Sequence, residues 1–173
     1  MMAGRGPRGA VPDAKDAGEW FAGRLPEGWF DGPPTVTVDR EEIVVVGVLP
    51  SDGDESTAQR EGRAARFREE TREQRMRIAD EAQERYQRRV SWGVSTGTET
   101  ILYTHQAVPV MTRLRQPERL VLDTLVDAGV ARSRADALAW CVRLVGEHTE
   151  DWLGQLRQAM KDVDDLREQG PQL

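Results

Sequence analysis

Residues Val108–Val145, VPVMTRLRQPERLVLDTLVDAGVARSRADALAWCVRLV, limit the folds open to this chain more than any other stretch. A short alternating segment comes first. Val108, Val110, Thr112 and Leu114 share one face of an extended strand, and Pro109, Met111, Arg113 and Arg115 share the other. A helix follows, with Pro117 and Glu118 in its first turn, where a missing N–H costs nothing. Leu120, Val121, Thr124, Leu125 and Ala128 make its apolar stripe. Gly129 is placed to end that helix in the left-handed conformation. Ser133 is placed to cap a second helix, whose Leu138, Ala139, Val142 and Val145 are expected to be buried. A lone strand leaves a row of unpaired backbone groups. Nothing else in this stretch can pair with it, so two-fold pairing with a second copy of the chain is expected.

Charge bears on what such a dimer could bind. The 173-residue chain has a net charge of −6, which argues against a protein that coats nucleic acid without specificity. The charge is unevenly spread, however. Between residues 106 and 149, Arg113, Arg115, Arg119, Arg132, Arg134 and Arg143 face only five acids, and residues 61–89 are also slightly basic. The acidity sits in 35–60 and near the C-terminus, so modest, salt-sensitive DNA affinity is expected. Only Lys15 and Lys161 are lysines, an Arg bias that points to a GC-rich bacterial coding sequence. No apolar run is long enough to span a bilayer, no apolar signal core opens the chain, and the single Cys141 excludes an internal disulfide. A cytoplasmic location is expected, with no membrane partner.

The rest of the chain falls into three parts. Residues 1–34 are expected to be a disordered tail, over 1–18, followed by an aromatic arm. Trp20, Phe21, Trp29 and Phe30 in that arm are expected to cover a groove of the neighbouring domain or to recruit a protein partner. Residues 35–105 read as a small β-β-α-β-β domain. Val36 and Val38 alternate before a polar turn and the run Ile43–Val46, which makes a hairpin. Residues 61–89 carry a thin stripe of Ala64, Phe67, Thr71, Ile78, Ala82 and Tyr86, which makes one helix. Residues 90–104 make two further short strands. Residues 150–173 carry Trp152, Leu153, Leu156, Ala159, Met160, Val163 and Leu166 at intervals of three and four, with Asp162, Asp164 and Asp165 on the outer face. That helix must bury its stripe on its own N-terminal domain or on a partner chain. The fold class is therefore α+β.

Residues 106–149, with Gly129, Val130, Arg132, Ser133 and Ala137 in order, resemble the ribbon-helix-helix DNA-binding family. The resemblance implies a homodimer whose paired strands enter the DNA major groove. It implies that Met111, Arg113 and Arg115 face the bases and that Arg132, Ser133 and Arg134 meet a phosphate at the start of the second helix. Arginine suits guanine because its two donors match O6 and N7. The implied function is transcription regulation.

Two other readings are open. One is a dimeric scaffold or partner-binding protein of the same fold without DNA binding, which the acidic total favours. The other is an antitoxin, which the placement of the long extension before the motif disfavours. No enzyme is expected. His105, His148 and Cys141 are too scattered to make a metal or nucleophilic site, and no Ser-His-Asp set or paired carboxylates can be argued. No cofactor is expected either. The domain at 35–105 is expected to tune dimerisation, bind a partner or sense a small molecule.

Overall fold

The computed structural model describes residues 11–51, 53–97 and 99–170. The chain is α+β and divides into two compact units, one ending at Pro109 and the other beginning at Val110. No helix among the described residues is long and apolar enough to cross a membrane.

The first unit runs α1 (Ala17–Arg24), β1 (Thr35–Val38), β2 (Glu42–Val48), α2 (Thr57–Glu70), α3 (Arg72–Tyr86), β3 (Arg89–Ser95) and β4 (Thr100–Leu102). The four strands form one sheet in the order β1-β2-β3-β4. The outer pairs are antiparallel and β2–β3 is parallel. Parallel neighbours need a crossover, and α2 and α3 supply it. The β1–β2 turn is closed by Asp39, whose Oδ1 accepts from the backbone N–H groups of Glu41 and Glu42, each at 2.7 Å. Ile43, Val45 and Trp92 on the sheet and Ile78, Ala82 and Tyr86 on α3 form the core.

The expected single helix over 61–89 is two helices and starts earlier. Ser56 and Gln59 form a capping box that begins α2 at Thr57. The break falls at Thr71, where the hydroxyl donates to the carbonyl of Phe67 at 2.5 Å and accepts from Nε of Arg75 at 2.9 Å. Such back-bonding by threonine competes with the helical ladder. Arg75 is buried, and its guanidinium lies 5.0 Å from the centre of the Tyr103 ring. Burial pushes the Tyr103 phenol up to about 12 against the opposing pull of Arg75 and Arg68.

The aromatic segment departs further from expectation. Only residues 1–10 of the expected tail lie outside the described residues; Ala14 and Ala17 are packed in the core. Phe21 is fully buried on α1, edge-on to Trp20 at 4.9 Å and to Trp92 at 6.0 Å. Trp29 and Phe30 are half-buried against Phe67. These rings are therefore part of the domain's core rather than an arm over a finished surface. Arg24 grips Glu81 with two bonds of 2.6 and 2.7 Å, and Arg85 meets Asp16 at 2.6 Å, so α1 is also tied to α3.

The second unit contains α4 (Gln116–Asp127), α5 (Arg134–His148) and α6 (Glu150–Gln169). Gly129, at φ +75°, ends α4 in a Schellman turn. The N–H of Val130 donates to Leu125 at 2.9 Å, and that of Gly129 donates to Val126 at 3.0 Å. The buried set is small: Leu122, Ala131 and Ala137, with Leu114, Leu125, Val126, Leu138 and Cys141 packed against it. The apolar faces differ from those expected. Leu120 and Val121 on α4 are exposed while Leu122 is buried. On α5, Ala139 is exposed, and Val142 and Val145 are 65% and 56% exposed. Within one chain the helices close around Leu122, which leaves a second apolar face in water.

Candidate nucleic-acid interface

Residues 104–115 form no strand in the described chain. A segment becomes a strand only by pairing with a neighbour, and this one pairs with none among the described residues. Val110 is 87% and Met111 96% exposed, and Arg113 and Arg115 are exposed beside them. Leu114 is the exception: it packs on the α4–α5 core and anchors the segment where it enters α4. Nη1 of Arg119 donates to the Leu114 carbonyl at 2.6 Å, fixing the same junction. Met111, Arg113 and Arg115 thus lie together on one short exposed segment, with both guanidinium groups accessible.

The start of α5 is more constrained. Ser133 is the N-cap, and its Oγ accepts from the N–H of Asp136 at 3.2 Å. The Asp136 carboxylate reaches back and accepts from the N–H of Arg132 at 3.0 Å. That N–H is the main reason the Asp136 carboxyl is held below its ordinary range, with the Arg132 and Arg143 charges adding to it. The Arg132 side chain is 94% exposed, with Nε 3.7 Å from Asp136. Arg134 is committed elsewhere: it clasps Asp123 of α4 with bonds of 2.7 and 2.8 Å. This hydrogen bonding lowers the Asp123 carboxyl and raises the Arg134 guanidinium.

The six expected residues therefore form two groups. Met111, Arg113 and Arg115 stand exposed on the segment before α4. Arg132 and Ser133 flank the start of α5, while Arg134 serves the α4–α5 packing. Asp123 and Asp136 were missed as parts of this site, and both place negative charge near it. The spacing Ser133-x-x-Asp136 is that of a capping box and offered a signal for Asp136. Asp123 offered none, because its pairing with Arg134 needs the turn to fold first.

This cap has a measurable consequence. Ser133→Ala should cost about 1 kcal/mol of stability, the usual value of a lost N-cap, read as a lower denaturant midpoint. Asp123 and Asp136 both have folded-state pKa values below their unfolded ones. Their stabilisation is complete above the unfolded values and is lost as pH falls through the folded ones. Acid titration of the folded chain should show a loss of helix beginning below about pH 4. The same onset in the double variant Asp123→Asn, Asp136→Asn would show that neither carboxylate contributes.

Comparison with known proteins places both units. The model of the Rv1265-like protein N-terminal domain matches residues 15–102, and that of the Mb1296 C-terminal domain matches residues 115–167. The chain is 72% identical over 165 residues to the Mycobacterium bovis protein Mb1296, covering 94% of this chain and 73% of that protein. It has the same identity and coverage with the Mycobacterium tuberculosis protein Rv1265. No solved structure matches the chain.

Proposed function

The chain belongs to the Rv1265-like family, and for it we propose a dimeric, sequence-specific DNA-binding protein of the cytoplasm that regulates transcription. Two copies pair residues 108–115 into a ribbon of the ribbon-helix-helix kind, and the ribbon enters the major groove. The observation that carries this reading is the exposed segment bearing Met111, Arg113 and Arg115, unpaired among the described residues and set directly before the α4–α5 pair with its uncovered apolar face. Pairing would satisfy the backbone groups of the segment. Leu114 already packs on the helices from its end. A second copy would also bury Val121, Val142 and Val145.

Met111, Arg113 and Arg115 are assigned to base reading, and Arg132 and Ser133 to a phosphate at the start of α5. The roles separate by experiment. Arg113→Ala should weaken binding to a selected site by roughly 1–3 kcal/mol relative to random duplex, measured by fluorescence anisotropy at fixed salt. An equal loss on both DNAs would restrict Arg113 to phosphate contact.

The second reading, a dimeric scaffold that binds no DNA, draws on Asp123 and Asp136. They neutralise Arg134 and approach Arg132, which weakens the phosphate site at the start of α5. Absence of DNA binding by the unmodified chain even at low salt, with the dimer intact, would favour it.

A further inference from the structure

None of the twenty residues of α6 is buried. Trp152, Leu156, Met160, Val163 and Leu166 are all exposed. A helix with this much apolar side chain in water lacks a partner. Four of those residues, with Ala159, have a spacing that specifies the kind. From Trp152 the steps to Leu156, Ala159, Val163 and Leu166 are four, three, four and three. That is the 3.5-residue period of a coiled-coil seam, with Leu156 and Val163 at a and Trp152, Ala159 and Leu166 at d. The same steps run back through Thr149 to Val145 and Val142 on α5, which are also exposed.

We propose that α6 pairs in parallel with α6 of a second copy of this chain along the seam from Trp152 to Leu166. The flanking charges select both the occupant and the direction. Asp162 falls at g and Arg167 at the following e. In a parallel pair, g of one helix faces the next e of the other, so Asp162 meets Arg167 of the second copy, twice by symmetry. In an antiparallel pair, e faces e and g faces g. Arg167 would then face Leu153 or Met160, and both Asp–Arg contacts would be absent. Val163 at a above Leu166 at d is also the β-branched and Leu layering that favours two parallel strands. In the single chain Arg167 leans on Asp164 at 3.5 Å, and Asp162 accepts from Gln158 at 2.8 Å. Both contacts are at the surface and are exchanged at little cost. Thr149, with φ −125° and ψ 21°, separates α5 from α6, so the seam is continuous in sequence across a bend.

This pairing does not depend on the ribbon. It is tested in the full-length protein by sedimentation equilibrium and by cross-linking. Asp162→Arg and Arg167→Asp should each replace two attractions by two repulsions and raise the dimer dissociation constant about tenfold. An equimolar mixture of the two variants restores both pairs and should return to the wild-type value. In a Cys141→Ser background, Val163→Cys should form a disulfide-linked dimer on mild oxidation, because identical a residues meet only in a parallel pair. Lys161→Cys, at the outer f position, should not. Unchanged dissociation in the single variants, a mixture as weak as either variant alone, or cross-linking at Val163→Cys no better than at Lys161→Cys would overturn the proposal. Val110→Asp reports on the ribbon separately. If it leaves the dimer intact while the α6 variants behave as expected, the ribbon reading fails and the α6 pairing stands.

Discussion

Phe21→Ala should destabilise the N-terminal unit by about 3–5 kcal/mol, the usual cost of emptying a buried aromatic site. Phe21 has no exposed surface and is wedged between Trp20 and Trp92. Its loss removes the contact that seats α1 on the sheet and leaves a cavity that the stiff surrounding rings cannot collapse into. Total stabilities of domains are about 5–15 kcal/mol, so the variant should be marginal at 25 °C. Urea denaturation followed by circular dichroism measures it. A change below about 1 kcal/mol would mean that residues 17–24 do lie on the surface of a domain that folds without them. The paired ions at Arg24 and Arg85 would then have to hold α1 in place, which exposed ion pairs do poorly.

Leu122→Ala should cost about 2–5 kcal/mol in the C-terminal unit. Leu122 is the one large side chain among the three fully packed residues there, the others being Ala131 and Ala137. So small a core has little to spare. Helix content and self-association should fall together, because the same packing presents the apolar faces of α4 and α5 to the second copy. A parallel change at Leu120, which is exposed, should leave the fold of the single chain intact and act only on association. Equal effects of the two substitutions on the folding of the chain would show that the buried face has been misassigned.

Local chemistry accounts for the parts of this structure that were legible in the sequence. Val36 and Val38 alternate and Ile43–Val46 form a β-branched run, so β1 and β2 followed. Gly129 and Ser133 carry the stop and the start of adjacent helices in their own side chains, or lack of one, and the turn between them followed too. The aromatic segment did not. Trp20, Phe21, Trp29 and Phe30 suit a covering arm and a core equally well, and an eight-residue helix is too short to show a period. The break at Thr71 was hidden because neither Pro nor Gly marks it. On α4, Leu120, Val121, Leu122, Leu125 and Val126 cover two faces. Sequence cannot say which face turns inward within a chain and which is left for a partner. Of the candidate site, the cap at Ser133 was legible, whereas the expected alternation over 108–115 is not seen, because without a partner strand only Leu114 of the inward face packs and Val108, Val110 and Thr112 are exposed along with Arg113 and Arg115. The capture of Arg134 by Asp123 depends on how the two helices pack.

In vitro selection of duplex DNA from a randomised pool, run with the full-length chain and with Arg113→Ala, tests the central claim most directly. The account predicts enrichment of sequences that share a two-fold-symmetric site, as a ribbon of two identical strands requires, and loss of that enrichment in the variant. A pool that stays random with the full-length chain, or the same enriched sequence with and without Arg113, would contradict it.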